Sequence, residues 1–490
     1  MLAPTGQTDP AAPAAPADYG VLRWLVAATF IVILNETIMI NAVPRLMVEL
    51  DVDARAAQWL TTSFMLTMAV VIPVTGWFLQ RVRTRTAFGT AMAVFCVGTL
   101  LAALAPSFAV LLVARIIQAA GTAVMMPLLM TTLMTVVAEQ DRGRIMGNVT
   151  LAMSVAPAMG PAVSGVILEA ASWRWMFGLV LPVAAAIAVV GLRRLPDVGE
   201  PVASSLDWLS VALAAGGFGP LVYGLSQLGA DGGPTYVPFL TLGLGVALVV
   251  AFVLRQLQLQ RGGTPLLDLR TLTHRTYALA LVLMSIAFMA MLGSMILLPL
   301  YLQGVRGLSE LQAGLLVMPG GLAMGLLGPT VGRLFDRVGG RPLVIPGAIG
   351  VLVALASLTR VDVDSSLWPI LGAHVLLMVS LAAIFTPVFT LGLGALPPPL
   401  YSHGSSLLGT LQQVAAAVGT AVVVTVMASR QDSLLEGGRA PLEALVGGMR
   451  WGFGVGAVLA VLVVVVALAM PGRPRVVDLD DAEVEEPSVV

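Results

Sequence analysis

The feature that most constrains this chain is a succession of long apolar segments. A helix needs about 20 mostly apolar residues to cross a bilayer. Only 11% of the 490 residues are charged, against about 25% in soluble domains. The sequence therefore predicts an all-α integral membrane protein with 14 transmembrane helices. The predicted spans lie near 22–46, 58–79, 87–105, 109–135, 145–170, 175–192, 206–228, 236–256, 276–302, 311–331, 342–359, 367–395, 403–428 and 451–470.

The arginines predict how the chain is oriented in the membrane. All 26 basic residues are arginine. If the N-terminal side is the inside, 17 arginines lie on the inner side, 8 lie on the outer side, and Arg115 lies within a span. Positively charged loops favour the cytoplasmic side. We therefore expect a multi-pass protein of the cytoplasmic (inner) membrane with both termini in the cytoplasm.

The composition also narrows the classes of function. A chain without lysine has neither the phosphate-binding loop of Walker-type ATPases nor a Schiff-base lysine. Its three histidines are far apart and Cys96 is the single cysteine, so no metal site is predicted. The net charge of −1 gives no sign of a nucleic-acid partner. Since no nucleophile–base pattern is visible either, we expect no enzyme activity and no bound cofactor.

Two similar segments divide the spans into sets. Residues 76–85 read GWFLQRVRTR, and residues 332–341 read GRLFDRVGGR. Each follows the second span of a six-span set, as expected for a transporter built from two repeats. The predicted organisation is a disordered cytoplasmic tail at 1–20, an N-terminal six-helix half at 21–200, two inserted helices at 201–260, a C-terminal six-helix half at 261–471 and an acidic cytoplasmic tail at 472–490.

These two segments hold the predicted gating residues. Asp336 and Arg337 are expected to pair with helix ends across the interface between the halves, because charges near helix termini interact with the helix dipole. The full set is Gly76, Arg81, Arg85, Gly332, Asp336, Arg337, Gly339 and Arg341.

The fifth span has a composition that predicts a bent, closely packed helix. Proline and glycine recur at Pro157, Gly160, Pro161 and Gly165, and membrane helices tolerate such residues when their neighbours satisfy the backbone. Small residues also recur every four positions around Gly160, which allows another helix to approach closely. The tenth span has a similar glycine pattern, so we expect these two spans to pack together between the halves.

Two charges lie well inside the predicted spans, where ionisable groups are costly and indicate function. Glu36 is in the first span and Arg115 is in the fourth. At 1.5 Å per residue, Glu36 lies about 21 Å from the inner edge and Arg115 about 9 Å from the outer edge, so both have a similar depth in a core about 30 Å thick. They either form a structural ion pair or share a hydrated cavity. Three polar neighbours join them as candidate proton-coupling or substrate residues: Asn35, Asn41 and Gln118.

Several of these segments resemble motifs of one family. Gly160-Pro161-x-x-x-Gly165, followed by Ser172-Trp173-Arg174-Trp175, resembles the antiporter signature of drug exporters in the major facilitator superfamily. Residues 332–341 resemble the loop motif G-x-L-a-D-R-x-G-R-[RK] of that superfamily, and residues 76–85 resemble it with Gln80 in place of the acid. The segment around Glu36 resembles the acidic first-helix motif of the fourteen-helix exporters. Arg115, Gln118 and Gly121 fit the fourth-helix motif R-x-x-Q-G-x-G.

The resemblance implies a fold and a function. The fold is the major facilitator fold, with two six-helix halves plus two inserted helices. The function is proton-coupled efflux of hydrophobic drugs, antibiotics or related natural products by alternating access, with the proton gradient as the energy source. The expected partners are small hydrophobic substrates, protons and the lipid bilayer. A monomer is expected, and an adaptor protein stays an open option.

Alternatives remain at this point. The same fold would also serve an exporter of a lipid, a peptide or a metabolite, and a non-transporting membrane scaffold or sensor is a second alternative. Gln412 and Gln413 either line a cavity or bridge helices. The methionines of the fourth and ninth spans either line a pocket for apolar ligands or face lipid and the helix core. We favour the second option for most of them.

Overall fold

The computed structural model describes residues 19–39, 42–198, 205–228, 236–262 and 265–471. Apart from Tyr19 and Gly20, the two predicted tails lie outside these residues. Helices account for almost all of the described chain. They are α1 (Gly20–Ile38), α2 (Val43–Glu49), α3 (Ala54–Arg81), α4 (Thr84–Ala103), α5 (Phe108–Val136), α6 (Arg142–Ala170), α7 (Arg174–Arg194), α8 (Trp208–Gln227), α9 (Tyr236–Gly262), α10 (Arg275–Leu300), α11 (Glu310–Val338), α12 (Arg341–Leu358), α13 (Leu367–Gly394), α14 (Tyr401–Glu436) and α15 (Pro441–Ala469).

The helices account for the predicted spans. In the described part of the chain, 13 helices are long and apolar enough to cross a membrane, and α1 occupies the place of the first predicted span. That span was expected to continue to residue 46, but α1 ends at Ile38 and the chain resumes as the short helix α2. A proline in the first turn of α2 explains the break, because proline disrupts a helix interior and is tolerated at its start.

Successive long helices run in opposite directions, so the bundle has two ends. We call the end at which α1 begins the proximal end and the opposite end the distal end. The helices α1 and α3–α7 pack together, as do α10–α15. The two groups meet where α6 packs against α11, the most extensive helix pair, and where α3 packs against α14. Helices α8 and α9 pack mainly on each other, and α8 also contacts both α3 and α14.

A pair of arginines shows the repeat that relates the two groups. Arg174 begins α7 and donates a hydrogen bond to the carbonyl of Ala105, between α4 and α5. Arg450 of α15 donates to the carbonyl of Val361, between α12 and α13. In each group the sixth helix thus holds the distal turn between the third and fourth helices.

The segment that joins α9 to α10 is anchored by a buried acid. Asp268 is only 2% exposed and accepts hydrogen bonds from the side chains of Gln260 and Arg270. Burial raises the pKa of Asp268, but hydrogen bonds from the Arg270 side chain and backbone outweigh it and hold the pKa below its ordinary value. Gln256 fixes the same segment, since its side-chain oxygen accepts from the amides of Leu266 and Leu267.

Candidate functional site

A cavity of about 590 Å³ lies between the two groups of helices. Helices α1, α3, α5 and α6 form one wall, which we call the N-terminal wall, and α10, α11, α13 and α14 form the C-terminal wall. The lining is mostly apolar, with several methionines and phenylalanines. Its size and composition are typical of a small-molecule site.

Glu36 and Arg115 both line this cavity on the N-terminal wall. Among the ion pairs of the described residues, none within 4.0 Å joins them. Of the two arrangements expected from the sequence, the structure therefore has the shared cavity and not the direct ion pair.

Arg115 has other partners. Its side chain is 1% exposed, and its guanidinium lies 4.2 Å from the centre of the Phe64 ring. One nitrogen donates to the Gln118 side chain at 3.2 Å, and Gln118 donates in turn to the Thr99 hydroxyl at 3.0 Å. This chain of contacts between α5 and α4 fixes the orientation of the guanidinium in the cavity wall that also holds Glu36.

The structure describes one of the two asparagines that were predicted as site residues in the first span. Asn35 is fully buried, and neither polar atom of its amide has a hydrogen-bond partner among the described residues. A buried side-chain amide without partners is costly, and this one lies next to Glu36 in the α1 sequence. Asn41 lies outside the described residues.

The proximal end of the cavity is closed by the second loop segment. Asp336, near the end of α11, accepts hydrogen bonds from the backbone amides of Gly143 at 2.9 Å and Arg144 at 2.8 Å. These amides belong to the first turn of α6, where a negative charge is stabilised by unpaired N–H groups and the helix dipole. A methyl group at Gly332 would overlap the carbonyl oxygen of Gly143, so the two helices touch backbone to backbone.

The other predicted gating residues of the second segment are Arg337, Gly339 and Arg341. Arg337 is exposed in the last turn of α11, and among the described residues no ion pair joins it to the other half. Gly339 ends α11 with a φ of +82°, which glycine adopts readily. Arg341 donates to the carbonyl of Leu468 on α15, within the same half.

The first loop segment closes the proximal end differently. Gln80 stands at the position of Asp336 in the repeat, and its side-chain amide donates to the carbonyl of Pro399, just before α14, at 2.8 Å. Nearby, the hydroxyls of Thr75 and Ser406 are hydrogen-bonded at 2.7 Å. Gly76 lies against His403, whose Nδ1 atom would be 3.0 Å from an added methyl group.

The two arginines predicted for this first segment stay within their own half. Arg81 lies over the ring of Trp77, 5.3 Å from its centre. The backbone amide of Arg85 donates to the carboxylate of Asp197 at 3.2 Å. Both residues therefore support the proximal surface of the N-terminal half.

The helix pair α6–α11 is present as predicted, but Gly160 faces elsewhere. A methyl group at Gly160 would lie 2.8 Å from the Cβ of Thr37, so this glycine makes the close approach to α1, next to Glu36. The α6 residues that touch α11 include Gly147 and Ala158. Gly165 faces Leu311 of α11 near the distal end. Pro161 lies within α6, and its side chain is outside the described set.

Several features of the cavity were either not singled out from the sequence or left between two options. Phe288 and Phe385 are stacked, with ring centres 5.0 Å apart, and both line the cavity with Phe389. Gln412 and Gln413 also line it, which decides between the two options for these residues. Among the methionines we expected mostly in lipid or core positions, four line the cavity: Met125, Met126, Met291 and Met295.

His403 was likewise not predicted as a site residue. It is 4% exposed, and its Nδ1 atom has no hydrogen-bond partner among the described residues. The only sequence signal was a histidine at the beginning of an apolar span, which by itself indicates packing.

Most of the chain is similar in sequence to known proteins. The sequence model of the Major Facilitator Superfamily matches residues 25–420. The chain is 39% identical over 453 residues to YcnB of Bacillus subtilis, an uncharacterized MFS-type transporter, and the match covers 92% of this chain and 95% of YcnB. It is 37% identical over 445 residues to the lincomycin resistance protein LmrB of Listeria innocua, covering 90% of this chain and 94% of LmrB.

Two solved structures have the same fold. The human organic anion transporter MFSD10 (TETRAN) matches with a TM-score of 0.65 at 15% identity, over 92% of this chain and 100% of MFSD10. The proton:xylose symporter XylE matches with a TM-score of 0.63 at 14% identity, over 93% of this chain and 97% of XylE. At such low identity these structures show the fold alone.

Proposed function

Since the chain belongs to the major facilitator superfamily and is a multi-pass membrane transporter rather than an enzyme, we propose that it exports drugs, antibiotics or related natural products in exchange for protons. Drug efflux is supported by relatives named for resistance to lincomycin or to several drugs, in Listeria, Bacillus and Mycobacterium. The proposals for the coupling ion and for the residues that carry it are supported by the geometry of the site.

The observation that carries the proposal is the position of Glu36. It is the only acid among the described residues that line the cavity, and Arg115 lies in the same wall without a direct ion pair to it. A carboxylate in these surroundings is drawn towards the neutral form by the apolar lining and towards the charged form by the arginine. Glu36 is therefore the group suited to take up and release a proton during transport.

The transport cycle follows from alternating access. In the described arrangement the proximal end is closed by Asp336, Gly332 and Thr75, which corresponds to an outward-facing state if the proximal end is cytoplasmic. Protonation of Glu36 from outside favours the inward-facing state, and proton release inside admits substrate. Coupling requires that substrate and proton each change the affinity for the other.

The arrangement in the cell completes the proposal. The excess of arginine on the proximal side supports cytoplasmic termini and residence in the cytoplasmic (inner) membrane. The transporter works as a monomer with the proton gradient as its energy source, and it needs no bound cofactor. A lipid, a peptide or a metabolite is the alternative substrate. A vesicle transport assay in which a lipid competes with a cationic dye distinguishes a lipid exporter from a drug exporter.

The test uses purified protein in liposomes with an imposed pH gradient and labelled lincomycin. Proton-coupled efflux predicts uptake against the substrate gradient that stops when an ionophore dissipates the pH difference. A sodium gradient without a pH difference is the control. Uptake driven by sodium alone, or no uptake of any compound in a drug panel, contradicts the proposal.

A further inference from the structure

The two walls of the cavity differ in chemistry. The N-terminal wall holds both Glu36 and Arg115, whereas none of the described C-terminal wall residues that line the cavity is an aspartate, glutamate or arginine. That wall instead presents side-chain amides, Gln412 and Gln413 of α14 and Gln303 just after α10, with His374 of α13 and the three phenylalanines. Among the described lining residues, Glu36 and Arg115 thus lie on one wall, whereas uncharged polar side chains lie on both walls and the side-chain amides lie on the C-terminal wall.

The two amides of α14 lack good partners. The Nε2 atom of Gln412 is buried and has no hydrogen-bond partner among the described residues. The Nε2 atom of Gln413 has only the sulfur of Met68 at 3.9 Å, and a thioether is a weak acceptor. A buried polar group without a partner costs about 1–3 kcal/mol. A buried amide nitrogen without a partner, next to a second amide whose nitrogen has a weak acceptor, is typical of a cavity wall that a ligand completes.

An amide selects a particular kind of ligand group. Its oxygen accepts and its nitrogen donates, so the complementary group is another amide, a carbonyl or a hydroxyl. A carboxylate or an ammonium ion would enter the low-dielectric wall without a counter-charge, which is unfavourable.

The phenylalanines define the rest of the ligand. Phe288 and Phe385 are stacked with an interplanar angle of 18°, and Phe389 lines the same wall. Aromatic side chains pack well against rings and other apolar bodies. The methionine side chains beside them adapt to varied shapes, so this part of the wall recognises an apolar body without fixing its outline.

We propose that the substrate is an amphipathic molecule whose apolar body packs on Phe288, Phe385 and Phe389 and whose amide, carbonyl or hydroxyl group bonds to Gln412 and Gln413. This inference rests on the proposed efflux function and specifies its substrate class. The C-terminal wall recognises the substrate, while Glu36 on the opposite wall stays available for the proton. A permanent positive charge on the substrate is not required.

The test compares two kinds of probe in the liposome assay. Chloramphenicol carries an amide and hydroxyl groups and is neutral, and lincomycin carries the same groups with a basic amine. Tetraphenylphosphonium carries four phenyl rings and a permanent positive charge, and it has no hydrogen-bonding group. The variants are Gln412→Met, Gln413→Met and the double variant, because methionine keeps the length of the side chain and removes the amide. Gln431→Met, on the same helix and outside the cavity lining, is the matched control.

The expected result is that wild-type protein exports the amide-bearing probes better than tetraphenylphosphonium. The double variant should raise the apparent KM for those probes about tenfold or more, as expected for the loss of a buried hydrogen bond, and each single variant should raise it less. Gln431→Met should leave it unchanged. If the double variant does not fold, the two single variants provide the same comparison.

The possible failures are distinguishable. Wild-type export of tetraphenylphosphonium at least as good as that of lincomycin and chloramphenicol overturns this inference and leaves efflux standing. An unchanged KM for the amide-bearing probes in folded glutamine variants has the same consequence: it overturns this inference and leaves efflux standing. If the wild-type protein exports none of the three probes, both the efflux proposal and this inference are contradicted.

Discussion

The carboxylate of Asp336 accepts a hydrogen bond from the backbone amide of Gly143 at 2.9 Å, and this contact joins the two halves at the proximal end. Its equivalent in the first half is not an acid. Gln80 donates to the carbonyl of Pro399, so the two loop segments hold opposite sides of the interface with different chemistry. The charged contact on α11 is the stronger of the two, because hydrogen bonds to an ionised group are roughly twice as strong as neutral ones.

Replacement of Asp336 by Asn should therefore favour opening of the proximal end. The loss of a charge at the first turn of α6 costs about 1–2 kcal/mol, which changes the ratio of closed to open molecules by a factor of roughly 5–30. Spin labels at positions 83 and 333, in a Cys96→Ser background, report the distance across this end. Glu139→Gln, another acid at the proximal end, should leave the distance distribution unchanged, and an unchanged distribution in Asp336→Asn contradicts the role of this contact.

Replacement of Gly160 by Leu should block transport in a protein that still folds. A larger side chain at this position collides with Thr37 and displaces α1 beside Glu36, so we expect a loss of activity greater than about tenfold. The control is Gly454→Leu, because an added methyl group there meets no atom within 4 Å. Transport at the wild-type rate by Gly160→Leu would show that the close contact between α6 and α1 has no part in the cycle.

The orientation of the chain can be tested by labelling. Arg83 lies at the proximal end with 65% of its side chain exposed, and Asp364 is exposed at the distal end. In a Cys96→Ser background, an impermeant thiol reagent should label Asp364→Cys in intact cells and should label Arg83→Cys only after the membrane is opened. The reverse pattern places the termini outside.

The anchor at Asp268 should make stability depend on pH. Its pKa in the folded protein is below the ordinary value of about 3.9, so its contribution is present at neutral pH and is lost as the pH falls through the folded-state pKa. Asp268→Asn should lower the temperature of unfolding at pH 7, and the difference from wild type should shrink as the pH falls below about 4. A difference that stays constant over this range excludes the charge as its cause.

Much of the fold follows from local sequence. The length of the apolar segments predicts the helices, because a helix needs about 20 apolar residues to cross a bilayer. The two related loop segments predict the division into halves. The break between Ile38 and α2 was missed because hydropathy continues through it, although the proline at position 44 marks it.

The site could be predicted only in part, because sequence patterns do not identify neighbours. The small residues around Gly160 predicted a close approach, but only the structure shows that the neighbour at this glycine is Thr37. Glu36 and Arg115 were identifiable because charge within a span is rare. Gln412 stayed between two options and Phe385 was not singled out, since glutamine and phenylalanine are compatible with packing as well as with a cavity, and only the folded arrangement decides between them.

The central claim is that Glu36 couples export to protons, and proton release on substrate binding tests it most directly. Purified wild-type protein in weakly buffered detergent, mixed with lincomycin and a pH-sensitive dye, should release protons. Glu36→Gln should release none while remaining folded, Glu36→Asp should keep part of the signal, and Glu169→Gln, an exposed acid on α6, should behave as wild type. Release of the same number of protons by Glu36→Gln as by the wild type would contradict the account.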